Sequence, residues 1–238
     1  MNATELYKAG RLDDAIDALS SAVRDDPMDV RRRTFLFELL CFAGEYERAE
    51  KQLEVIARSS KEAELGAWVY RSALHAERER QRKFEENGLA AAGGPAPVAG
   101  RLNGRAFQSL LDADPRIGAR LEVFAAGQYT WIPFAQISAI RMEPPKRLRD
   151  LLWSPAHIQV AASFKGLELG EVLLPVLAPR TWRNADAEVR LGRVTDWDEL
   201  GDGTAVPVGQ KLWLVDDEPF PILELRTLEI EQTAQPEA

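Results

Sequence analysis

The chain has 238 residues, 45% of them hydrophobic and 29% charged, with a net charge of −8, which suits a globular protein able to bury a substantial core. No apolar run approaches the roughly 18 residues that span a bilayer, and a lone cysteine, Cys41, excludes an internal disulfide framework. Residues 1–87 carry 15 Lys/Arg against 18 Asp/Glu and residues 88–238 carry 15 against 20, so neither half has the basic excess that a phosphate backbone demands.

The expected setting is therefore cytoplasmic, with no nucleic acid and no membrane as partner; the first residues, MNATELYKAGRLDDAID, also lack a secretory h-region. Two front segments repeat one another, KAGRLDDAIDAL (8–19) and FAGEYERAEKQL (42–53). Gly10, Leu12, Ala15 and Leu19 recur 34 residues later as Gly44, Tyr46, Ala49 and Leu53. That period belongs to tetratricopeptide (TPR) repeats, pairs of antiparallel helices. The glycine closes the first helix of each pair, and the alanine lets the helices approach. Helices are predicted over 3–9, 12–25, 29–43, 46–58 and 61–86, the last opened by a Ser59/Glu62 capping box. Within it, HAERERQRKFEE alternates in charge sign and reads as a solvated face.

The stretch NGLAAAGGPAPVAG (87–100) has four glycines, two prolines and no charge, too little to bury, and reads as a linker. The organisation expected is a TPR-like helical domain over 1–87, a linker over 88–104 and an α+β domain over 105–238. In the last, DADPRIGARLEVFAAG (112–127) is predicted as a helix capped by Asp114, with Pro115 at its first position. Short strand-like runs follow: QYTWIPF, ISAIRM, HIQVAAS, EVLLPVL, EVRLGRVT, QKLWLV and PILELRTLEIE. KRLRDLLW (146–153) is read as a short helix between strands, and GDGTAVPVG (201–209) as a turn. The fold class is α+β: helical repeats, then a mostly antiparallel sheet with few helices.

Chemistry is sparse. His75 and His157 have no ligand-spaced neighbours, Cys41 sits in the apolar run FLFELLCFAG, and no phosphate loop or nucleophile motif occurs. Asp112 and Asp114 resemble hard-metal ligands only in isolation. Trp131, Trp153, Trp182, Trp197 and Trp213 are expected in the core or an interface. No catalytic residue, metal or cofactor is expected. Among Arg141, Lys146, Arg147 and Arg149 lie Glu143 and Asp150, so the cluster is semi-balanced and reads as structural.

The middle block, LNGRAF…LLDADPRIGARLEVFAAGQYTWIPFAQISAIRMEPPKRLRDLLWSPAHI (102–158), resembles the ImpE (TagJ, SciE) family, accessory proteins of bacterial type VI secretion systems. An Asp-x-Asp-x-Arg-x-Gly element is matched by Asp112, Asp114, Arg116 and Gly118, and a Gly-x-Tyr-x-Trp-x-Pro-Phe element by Gly127, Tyr129, Trp131, Pro133 and Phe134. A Pro-Pro-x-x-Leu-Arg-Asp-Leu-x-Trp-x-Pro-Ala element is matched by Pro144 to Ala156, including Arg149, Asp150, Trp153 and Pro155. The resemblance implies an adaptor for the sheath small subunit and, through the sheath, for its AAA+ recycling ATPase. These motif residues are expected to be architectural. Partner contact is expected on the first helix of each repeat, at Tyr7, Lys8, Arg31, Thr34, Glu38 and Cys41, taking an amphipathic helix in a groove. The alternatives are a generic TPR scaffold or co-chaperone binding helical peptides, and a metal-dependent enzyme using Asp112, Asp114 and His157.

Overall fold

A computed structural model describes residues 1–86, 98–161 and 169–232. Five helices come first: α1 (Ala3–Lys8), α2 (Leu12–Asp25), α3 (Val30–Phe42), α4 (Tyr46–Ala57) and α5 (Lys61–Glu86), each bound within one residue of its expected place. Asn2 and Glu5 form a reciprocal capping box on α1, and the Asp29 carboxylate caps α3. Leu12, Ala15, Ile16, Leu19 and Val23 make the buried stripe of α2 at helical spacing. α3 is buried all round from Leu36 to Phe42, because it packs between α2 and α4 and also meets the C-terminal half. α5 is capped by Ser60, whose Oγ accepts from the Ala63 N–H at 3.1 Å, not by Ser59, whose hydroxyl turns back to the Ile56 carbonyl.

The repeat glycines do more than turn the chain. Both have positive φ, +72° at Gly10 and +71° at Gly44, and a Cβ at Gly44 would lie 2.6 Å from the Trp182 ring. At Gly10 the Glu188 carboxylate holds the same place, 1.8 Å from a Cβ. Each repeat turn thus receives a side chain from the C-terminal half.

That half runs β1 (Gly100–Leu102), β2 (Arg105–Phe107), β3 (Leu110–Asp112), β4 (Arg120–Ala125), β5 (Gln128–Pro133), β6 (Ile137–Met142), β7 (Trp153–Val160) and β8 (Gly170–Pro175). After α6 (Ala187–Arg190) come β9 (Thr195–Glu199), β10 (Ala205–Gly209), β11 (Leu212–Val215), β12 (Glu218–Pro221) and β13 (Thr227–Ile230). Eight strands form one antiparallel sheet in the order β2-β1-β13-β6-β7-β8-β4-β5, beside a three-stranded sheet β12-β11-β3 and the pair β10-β9. One face of the large sheet packs Leu121, Val123, Ile140 and Leu174 against Trp213 and Leu110 of the small one. The other face offers Phe124, Tyr129 and Trp153 to the helices. The architecture is α+β, TPR helices followed by a mostly antiparallel region.

Several expectations are corrected. The helix predicted over 112–127 is instead the end of β3, a turn and β4. Asp114 folds back onto the Arg116 N–H, Gly118 takes φ +60°, and Leu121 and Val123 alternate with strand period. Ala126 and Gly127, both at positive φ, make the two-residue hairpin into β5. EVRLGRVT is not a strand: Asp186 caps the short helix α6, and Gly192 ends that turn. The helix expected over 146–153 is a 3-10 helix at Leu148–Leu151, with Trp153 already in β7. GDGTAVPVG is half turn and half β10. Of the tryptophans, Trp153 and Trp213 are buried and Trp197 is 49% exposed.

The linker expected over 88–104 lies outside the described residues for 88–97, and Gly100–Leu102 is a strand inside the large sheet. The alternating charges of α5 are not simply solvated either: Glu77, Arg80 and Gln81 are buried against the sheet. The helical layer and the sheet share a core cluster reaching from Leu36 to Phe124 and Trp153. A protease site inserted within residues 88–97 and cut to completion is therefore expected to leave both fragments eluting together on gel filtration. Separate elution of two folded fragments would show that the linker alone holds the halves.

Candidate functional site

α1 and α3 share a groove of about 510 Å³ with Leu148 of the 3-10 helix. The structure brings Tyr7, Lys8, Arg31, Thr34 and Glu38 together there, and adds Phe35 and Leu148, which sequence reasoning did not include. Tyr7 and Phe35 meet edge to face with ring centroids 5.9 Å apart. Tyr7 is held from behind by Arg193, whose guanidinium lies 4.9 Å from its ring and donates to its carbonyl at 2.6 Å. Lys8 and Arg31 are exposed, whereas Glu38 is 8% exposed. Burial pushes the Glu38 carboxyl up to about 7 against the pull of Arg149, so its charge changes in the neutral range. Thr34 spends its hydroxyl on the Val30 carbonyl at 2.8 Å.

Cys41 does not join the groove. It lies on the fully buried stretch of α3, among Phe42, Tyr46 and Trp153, where burial pushes its thiol up. The all-round burial of α3 overrides the one-sided face that repeat register implies.

The motif residues gather elsewhere, around a buried charge cluster between α5 and the sheet. Glu122 on β4 accepts from Arg80 Nε at 2.8 Å, Arg80 Nη2 at 2.9 Å and Tyr129 Oη at 2.6 Å. It also accepts from Lys211 Nζ at 2.5 Å, and Lys211 reaches Asp112 Oδ2 at 2.6 Å. Arg80 further donates to Glu77 at 3.2 Å and to the Leu177 carbonyl at 3.0 Å, while Trp153 Nε1 donates to Glu77 at 3.1 Å. Every one of these side chains is less than one-tenth exposed. Burial alone would raise the Glu122 carboxyl, but Arg80 and Lys211 outweigh it and hold it far below the usual carboxylate range. Burial pushes the Asp112 carboxyl up to about 7 despite Lys211.

The remaining motif residues extend this clamp. Asp114 pairs with Arg116 at 2.6 Å, and the Arg116 guanidinium lies 4.7 Å over Phe84 of α5. Trp131 Nε1 donates to Tyr129 Oη, and Arg120 covers the Trp131 ring at 4.1 Å. Pro133 ends β5 opposite Arg120. Arg149 donates to Tyr70 of α5, and Asp150 accepts from the Lys146 and Arg147 N–H groups at 2.8 and 2.9 Å. Pro155 is exposed on β7. Asp112 and Asp114 are thus occupied by Lys211 and Arg116, and His157 stands on the exposed side of β7 beside Glu171.

Sequence reasoning missed Glu77, Arg80, Glu122 and Lys211. The available signal was a lysine inside QKLWLV and a glutamate inside RLEVF, charges within otherwise apolar strands.

Among the described residues no helix is long and apolar enough to cross a membrane, and no group of His, Cys, Asp and Glu is disposed to hold a metal ion. The family model described as "ImpE protein" matches residues 104–229, and a tetratricopeptide repeat model matches residues 6–67. The type VI secretion system accessory component TagJ of Pseudomonas aeruginosa is 34% identical over 267 residues, covering 98% of this chain and 92% of that protein. The crystal structure of protein VPA1032 from Vibrio parahaemolyticus superposes with a TM-score of 0.84 at 24% identity, covering 98% of each chain, a likeness of fold. With its C-terminal half matched by the family model and a relative similar along nearly its whole length, the chain belongs to the ImpE family.

Proposed function

We propose that the chain is a non-catalytic accessory component of a type VI secretion system, working in the cytoplasm. It grips an amphipathic helix, the N-terminal helix of the sheath small subunit, in the groove between α1 and α3. Through the sheath it is linked to the AAA+ ATPase that recycles it. The carrying observation is the groove itself: Tyr7, Phe35 and Leu148 supply apolar contact, Lys8 and Arg31 supply charge, and the buried Glu38 is part of its lining. Such a lining suits a helix whose apolar stripe docks while its charged residues pair at the edge. The similarity to the TagJ accessory component supports the secretion setting.

A peptide spanning that sheath helix, titrated into the full chain, is expected to bind with a dissociation constant on the order of micromolar, since ordering a free helix offsets much of the contact gain. Tyr7→Ala combined with Arg31→Glu should weaken binding at least about tenfold, a change of about 1.4 kcal/mol, in a variant whose melting shows it folded. Unchanged affinity in that variant would move the site elsewhere. No binding to the wild type would end the sheath-adaptor reading.

A further inference from the structure

A second concave surface lies on the other flank of the same 3-10 helix. Leu148 belongs to the α1/α3 groove, whereas Arg147 and Arg149 line a cleft of about 670 Å³ beside β6 and β7. The pairing of β6 with β7 stops at Met142↔Ala156, because Pro144 and Pro145 then lead the chain away, and proline has no N–H to continue a ladder. Trp153 to Pro155 keep β8 as partner on one side only.

The charge of this cleft runs against that of the whole chain. Its lining includes five Lys/Arg and three carboxylates, in a protein of net charge −8. The carboxylates are already engaged: Asp150 by two backbone N–H groups, Glu143 by Lys146 at 3.8 Å and Glu171 by His157 at 3.7 Å. Arg141 and Arg147 are exposed and have no carboxylate within 4.0 Å among the described residues, and Arg226 is steadied only by the Leu223 and Leu225 carbonyls. Arg141 stands in a cross-strand row with Thr227 and His157.

We propose that this cleft binds an acidic peptide segment of a protein partner, its carboxylates pairing with Arg141 and Arg147. A peptide rather than a nucleic acid is favoured by the apolar rings of Pro144, Pro145 and Pro155, which line the cleft with the cations, and by the absence of a basic surplus in either half of the chain. The site is separate from the α1/α3 groove, and each can fail without the other.

The test uses a fluorescein-labelled Glu-Leu-Glu-Glu-Leu-Glu peptide, its Lys-Leu-Lys-Lys-Leu-Lys counterpart and a 12-mer DNA duplex, each titrated into the full chain at low salt. The acidic peptide is expected to bind, to weaken as salt rises, and to lose at least about tenfold in affinity on Arg141→Glu with Arg147→Glu. An Arg101→Glu, Arg105→Glu control, on exposed residues outside the cleft, should bind like the wild type. Both double variants alter exposed side chains and should melt like the wild type. Equal binding by the cleft variant, no binding of the acidic peptide, or equal binding of the basic one would each overturn the proposal. Tighter binding of the duplex, lost with the same two arginines, would assign the cleft to nucleic acid instead.

Discussion

Glu122→Gln is expected to lower the unfolding free energy by about 3–5 kcal/mol, among the larger effects a single side chain can have here. The carboxylate sits between Arg80 and Lys211, and all three side chains are at most 1% exposed. Glutamine keeps the volume and removes the charge, so two buried cations lose a shared counter-ion. Removing charges together is expected to cost less: Arg80→Met with Glu122→Leu should be milder than Glu122→Gln alone, since Lys211 keeps Asp112 at 2.6 Å. Urea denaturation of the three proteins decides it. Wild-type stability in Glu122→Gln would mean that packing, not charge, joins α5 to the sheet.

The same cluster makes stability depend on pH in two opposed ways. Glu122 has a folded value below its unfolded 4.5, so its contribution is complete above that value and is lost as pH falls. Asp112 is pushed from 3.8 up to about 7 by burial, so the folded state holds a proton that the unfolded chain has released. Between those values its contribution to stability declines as pH rises, and Glu38, also raised to about 7, has the same sign from 4.5 upward. The urea midpoint is therefore expected to fall between pH 5 and 7, less steeply in Asp112→Asn. A midpoint that climbs over that range would show both carboxyls ionised in the folded protein.

The helices were legible because their signals are local. A repeated glycine, a small alanine and an apolar stripe at helical spacing fixed the first four to within one residue, and α5 begins where expected although Ser60, not Ser59, caps it. The strand run ISAIRM was equally plain, since β6 covers the same residues. The segment 112–127 misled because Asp-Pro opens helices and Gly closes them, while the outcome there depends on Arg116, Lys211 and Arg80 reaching acids from 2 to 99 residues away. No window of sequence contains that geometry. For the same reason the buried side of α5 was read as solvated: the alternation of Glu and Arg is real, but the strands that meet it, β4 and β5, begin only at Arg120. The groove was half legible. Repeat register placed Tyr7, Arg31, Thr34 and Glu38 together, but Leu148 arrives from the other half of the chain.

Trp153→Ala should cost about 3–5 kcal/mol, as truncations of buried large aromatic side chains do. Trp153 opens β7, is 4% exposed and lies 6.4 Å from the ring of Phe37 in α3, so the cavity would open between the helical layer and the sheet. Its indole N–H also donates to Glu77, which in turn holds Arg80 and Gln81. Trp153→Phe separates the two contributions, keeping most of the packing while leaving one Glu77 oxygen without its donor; a loss of about 1–3 kcal/mol is expected. If the residue were a partner contact instead, Trp153→Ala would leave the melting temperature unchanged and abolish peptide binding. With the ring enclosed by Phe37, Glu77 and the sheet, the expected order is the reverse: a large drop in melting temperature, with binding by the folded fraction retained, because the groove formed by Tyr7, Phe35 and Leu148 does not include it.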